Sequence, residues 1–166
     1  TDLNERFMRG EHQNADSIHF DNIRKFETIG GRTVYGGGGI MPDIFVPADT
    51  TGLSMYFAQV SNNGLIYRYS LKYTESHREE LNRFSTATEI SNYLEKQSVL
   101  DKFIEFASEN GVQPVQDDLD ESGEIIKLQI KAYIARNILD NKGFYPIWQQ
   151  LDRTLQKAIE HPGLEI

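Results

Sequence analysis

Cysteine is absent from the 166 residues, which excludes disulfides and thiolate metal sites but leaves both the cytosol and an envelope compartment open. No apolar run approaches the ~20 residues of a membrane-spanning helix. The opening TDLNERFMRG reads as neither a signal peptide nor a lipid attachment site, so any export signal is expected upstream. Cations are in the minority, 17 Lys and Arg against 25 Asp and Glu, for a net charge of -8. Binding to nucleic acid or anionic lipid, which needs clustered Lys and Arg, is therefore not expected. The motifs HExxH, GxSxG and SxxK do not occur. Before Arg32 the only serine and lysine are Ser17 and Lys25, and neither lies in a small-residue turn that would expose a nucleophile. What remains, 19.0 kDa with 39% hydrophobic residues, suffices for one domain with a real core.

The most unusual stretch is RTVYGGGGIMPDIFVP, Arg32 to Pro47. Gly36, Gly37, Gly38 and Gly39 permit a sharp turn or a close backbone approach. Lys25 to Thr28 and Arg32 to Tyr35 are strand-prone flanks of Gly30 and Gly31, which predicts a hairpin. Pro42 and Pro47 bracket a third extended piece, Ile44 to Val46. So small a sheet needs cover from helices or from another sheet. A phosphate loop is disfavoured, since no GK[ST] follows the glycines and no helix starts after them.

These residues carry a resemblance. GGRTVYGGGGIMPDIFVPADT is similar to the last segment of the catalytic core in tail-specific, or carboxyl-terminal processing, serine proteases, where a G-x-GI-x-PD pattern ends the core. Gly37 to Asp43 fit that pattern residue for residue. The glycine- and tyrosine-rich version with a long helical tail resembles the form in envelope proteases of Bacteroidetes-type bacteria. The resemblance is sharp over residues 25 to 50. It implies a parent serine endopeptidase with a Ser nucleophile and a Lys base upstream, a PDZ domain earlier still, no cofactor, and a periplasmic or envelope location. Protein or peptide substrates would be engaged through that missing core. Within this chain it implies no catalytic residue. Gly36, Gly37, Gly38, Gly39, Pro42 and Asp43 would be a structural turn of the core, and the chain itself an inactive C-terminal part.

Beyond Asp49 the apolar period changes from strand-like to helical. Leu53, Tyr56, Phe57 and Val60 share one face, with Thr50 or Thr51 as N-cap and Gly64 as stop. A helix over Leu65 to Tyr73 follows. Thr86 or Thr88 can cap Glu89 to Leu94, and Val99, Phe103, Phe106 and Ala107 form a stripe ending before Gly111 and Pro114. Ile126, Ile130, Tyr133, Ile134 and Ile138 give the most regular face. Trp148, Leu151, Leu155, Ala158 and Ile159 give the last, packed antiparallel to it across a tight connection at Asn141 to Gly143, with Pro146 in the first turn of the final helix. The expected fold is α+β and predominantly α: a small hairpin or three-strand piece, then a bundle of five or six helices. The expected domains are 1–48, the end of a protease core, and 49–166, a C-terminal helical domain.

Several groupings have two readings. Asp118, Asp120, Ser122 and Gly123 match positions 1, 3, 5 and 6 of a calcium loop, but position 12 is Gln129, and the acidic residues serve equally as the start of the Ile126 helix. His12, Asp16 and His19 could meet a metal only on a helix, and GEHQNADSIHF reads as a polar connector, so no metal site is assigned. His77 with Glu79 and Glu80 reads as helix surface. Tyr67, Tyr69, Tyr73, Phe103 and Phe106 suit either a plain core or protein contacts. The alternative to the protease is therefore a helical protein-binding or oligomerisation module. An unpaired hairpin edge could also make the chain a homo-oligomer.

Overall fold

The computed structural model describes residues 3–10, 25–31, 33–35, 44–48 and 52–161. The chain divides into two compact units, residues 1–49 and 50–166. The first holds a short helix, α1 (Leu3–Met8), and an antiparallel hairpin of β1 (Lys25–Glu27) and β2 (Thr33–Tyr35). Phe26 pairs with Val34 at its centre, and the Gly31 amide donates to the Thr28 carbonyl to close the turn. Phe26 and Val34 are exposed. Ile44 to Val46 is half-buried but joins no sheet, so among the described residues the β piece has two strands and not three. Pro47, directly after this piece, has no amide N–H to donate to a ladder.

The second unit is helical: α2 (Met55–Asn62), α3 (Leu65–Ser76), α4 (Arg78–Leu81), α5 (Ala87–Glu95), α6 (Val99–Glu109), α7 (Gln116–Leu139), α8 (Asn141–Trp148) and α9 (Arg153–Glu160), with a 3-10 turn at Gln149–Leu151. Helix α7 is the spine, packed by α2, α3, α5, α6 and α8. Its buried Ile126, Ile130 and Ile134 recur at helical spacing, and Leu65, Leu94, Phe103 and Ile147 from the surrounding helices close the core. Where α3 meets α7, the buried residues are small: Ser70 and Thr74 satisfy their hydroxyls on the carbonyls of Ile66 and Ser70 in their own helix. The amide of Asn137 then donates to Thr74 Oγ1.

Helix ends follow local chemistry. Thr86 and Glu89 form a reciprocal capping box at α5. Helix α6 ends in a Schellman turn, with Gly111 N donating to Ser108 and Val112 N to Ala107. Three features differ from the sequence reading. Ser54, not a threonine, caps α2, its hydroxyl accepting from Phe57 N at 3.1 Å. Helix α7 begins at Gln116, well before Ile126; the first residues it buries, Ser122 and Gly123, are small and leave no apolar stripe to mark those turns. The final helix is two helices. Asn141 to Gly143 is the first turn of α8 and not a connection, which leaves Pro146 inside α8, and Asp140 alone makes the corner.

That corner depends on Gly143. A Cβ there would run into the Ala135 carbonyl of α7, so glycine alone allows α8 to fold back so closely. Ile147 of α8 is buried, whereas α9 buries nothing fully.

Candidate functional site

The residues assigned to the protease-core turn, Gly36, Gly37, Gly38, Gly39, Pro42 and Asp43, lie outside the described residues, as do His12, Asp16 and His19. The calcium-loop reading does not survive. Residues 118 to 129 are continuous helix, in which side chains two apart point away from one another instead of wrapping an ion. Asp118 Oδ2 accepts from Tyr56 N at 2.9 Å, Asp120 Oδ1 accepts from Gln116 Nε2 at 2.7 Å, and the Ser122 hydroxyl turns to the Asp118 carbonyl and to Ser54 Oγ. The acidic run thus supplies a cap for a different helix. Asp118 and Ser54 together satisfy two of the free amides at the start of α2. Among the described residues no group of three or more His, Asp or Glu could hold a metal.

Described residues of the helical unit line two recesses. One, of about 320 Å³, lies between α3 and α6 and is lined by Tyr69, Lys72, Tyr73, Ser76, His77, Lys102, Glu105, Phe106 and Glu109. His77 is not plain surface: it is half-buried at the break between α3 and α4, stacked on Tyr73 with ring centres 4.1 Å apart, and its Nδ1 lies 2.9 Å from the Tyr73 carbonyl. Lys72 Nζ stands 5.4 Å over the Phe106 ring. Tyr69 and Tyr73 are core residues whose hydroxyls have no hydrogen-bond partner, and burial pushes both phenols upward. The Tyr93 hydroxyl donates to Glu80.

The second recess, about 610 Å³, sits where α7 turns into α8 and is lined by Tyr67, Tyr133, Arg136, Asn137 and Asp140. Tyr67 is 49% exposed and packs edge-on against Tyr133 at 5.5 Å. Behind it lie Phe144 and Trp148, stacked at 5.0 Å, and the Arg136 guanidinium lies 5.3 Å over the Phe144 ring. Asp140 has φ 53 and ψ -142, backbone angles that are costly for any residue with a side chain.

On the opposite side of α7, Glu95 of α5 accepts from Lys131 at 2.7 Å and Lys127 at 3.2 Å, and the lysine hydrogen bonds hold its carboxyl below the usual range. Lys131 is 8% exposed, so the pair fixes α5 on α7.

A family model described as "Family of unknown function (DUF8443)" matches residues 56–140, just over half of the chain. The chain belongs to that family. Neither a curated protein nor a solved structure matches it. The DUF8443 segment runs from Tyr56, whose amide Asp118 caps, to Asp140, the corner residue of the larger recess. It thus contains every residue lining both recesses. Sequence reasoning singled out Tyr67, Tyr69, Tyr73, His77, Phe106 and Tyr133 among them but passed over Lys72, Lys102, Arg136, Asn137 and Asp140. Each of those polar side chains reads alone as a solvated helix face. Only the approach of α3 to α6 and α7 brings them together.

Proposed function

We propose that the chain is the C-terminal part of a serine endopeptidase that cleaves near protein C-termini. Its Ser nucleophile and Lys base lie on a part of the protein outside these residues. The DUF8443 unit is then a non-catalytic helical module attached to the end of the core. The observation that carries this reading is a coincidence of three positions. The stretch resembling the end of a tail-specific protease core stops at Thr50, the compact units divide between Asp49 and Thr50, and the family match begins at Tyr56. The hairpin at Lys25–Glu27 and Thr33–Tyr35 is compatible with the last strands of such a core. A Lys base in this chemistry is kept neutral by burial, so that it can take the Ser proton.

The test is peptidase activity on an unfolded protein, comparing this chain with a longer chain that includes the upstream Ser and Lys. Cleavage by the longer chain alone, abolished by replacing its Ser with Ala, is the expected result. An inert longer chain would sink the proposal.

A second reading, a protein-binding or oligomerisation module without protease activity, has one observation in its favour. Leu53, Met55 and Val115 are all more than half exposed at the end of the module where α2 and α7 begin. An oligomer in sedimentation that Met55→Glu dissolves, together with an inert longer chain, would favour it.

A further inference from the structure

We propose that the recess at the α7–α8 corner binds a small zwitterion, a free amino acid or short unblocked peptide with a ring side chain, its carboxylate on Arg136 and its ammonium on Asp140. The inference concerns this chain alone and holds whether or not the parent protein is a protease.

Arg136 and Asp140 carry opposite charges in one pocket, yet no ion pair joins them, and among the described residues neither has an ionic partner elsewhere. The guanidinium is held instead by the face of Phe144. That contact leaves its N–H edges open for the two-pronged hydrogen bonding that suits a carboxylate.

Asp140 occupies a backbone conformation that glycine would adopt more easily, and its carboxylate makes no capping bond to α8. Among the described residues no side-chain hydrogen bond or ion pair of Asp140 offsets this strain. Strain of that kind is found at ligand-binding positions. Asn137 donates its amide to Thr74, and no described donor occupies its amide oxygen, which is left as a further acceptor for an ammonium.

A ligand of net charge would place one like charge against Arg136 or Asp140, whereas a zwitterion satisfies both. The exposed Tyr67 ring, edge-on to Tyr133, offers an aromatic wall for the ligand's side chain. A volume of about 610 Å³ is in the range of small-molecule pockets.

The experiment is an NMR titration of the whole chain with glycyl-phenylalanine, its N-acetyl form, its C-terminal amide and free phenylalanine, following Tyr133 and the Asn137 side-chain amide. Saturable shifts with the unblocked dipeptide are expected, with each block weakening binding about tenfold. In Asp140→Asn the unblocked dipeptide should bind about tenfold more weakly, and N-acetylation should then make no further difference. Arg136→Gln should remove the effect of amidation in the same way. Free phenylalanine binding as tightly as the dipeptide would identify the ligand as an amino acid, and weaker binding would identify a peptide; either supports the site. The proposal is overturned if neither unblocked ligand gives saturable shifts by about 10 mM, if blocked and unblocked forms bind wild type equally, or if both blocking penalties persist in the variants. Because the blocking series is read on wild type, poor folding of a variant does not remove the test.

Discussion

Tyr56, Tyr69 and Tyr73 each bury a hydroxyl that finds no hydrogen-bond partner. A buried polar group left unpaired costs about 1–3 kcal/mol, so removing it is favourable even though a small void is left behind. Tyr56→Phe should therefore raise stability by about 1 kcal/mol, seen as a higher urea midpoint at unchanged slope; a loss of stability would mean that the hydroxyl has a partner after all. The same burial makes stability pH-dependent at the alkaline end. Tyr69 and Tyr73 have folded pKa values raised above the ordinary 10.0. Below that value both states hold the phenolic proton and the contribution is complete. As pH rises beyond it, the unfolded chain releases protons that the folded chain retains, and stability falls. Melting temperature should drop above about pH 10, and the drop should be shallower in Tyr69→Phe and Tyr73→Phe than in the wild type. Equal slopes would separate the two phenols from alkaline unfolding.

Among the elements, α7 and α8 are the pair whose geometry tolerates least. The Ala135 carbonyl occupies the space that a side chain at Gly143 would need, and a backbone atom cannot swing aside as a side chain does. Gly143→Ala should push α8 off α7 and destabilise the unit by about 1–3 kcal/mol, although alanine is intrinsically the better helix former by about 1 kcal/mol. Denaturant unfolding decides it, and an unchanged or higher midpoint would show that α8 can slide along α7 without loss. This close approach also explains what the sequence left illegible. Periodicity located α5 and α6, because Thr86 with Glu89 and Val99 with Phe103 and Ala107 are local signals. It missed the first turns of α7, where solvent-facing carboxylates alternate with the small Ser122 and Gly123. It also turned α8 and α9 into one helix, since the break between them, a 3-10 turn at Gln149–Leu151, holds neither glycine nor proline as a stop signal. The third strand was overread from Ile44 to Val46. The larger recess was illegible for a related reason: Tyr67 is far in sequence from Arg136 and Asp140, and nothing local marks them as neighbours.

For the molecule as a whole, the single tryptophan is a convenient reporter. Trp148 belongs to the cluster of Tyr133 and Phe144 on the helical unit, while the hairpin and α1 contain none. If α8 is integral to the core through Ile147, Trp148 fluorescence and far-UV circular dichroism should lose signal at the same temperature. Earlier loss of the fluorescence would mean that α8 and α9 peel away before the rest. No helix among the described residues is long and apolar enough to cross a membrane. The cap that Asp118 places on the Tyr56 amide joins positions 62 residues apart. During synthesis, when the chain emerges from its N-terminal side, α2 must wait with a frayed leading turn until the acidic stretch has emerged and docked. The module's opening helix is thus among the last to be completed, and a nascent chain halted before Asp118 would present Leu53 and Met55 beside an unfinished helix end.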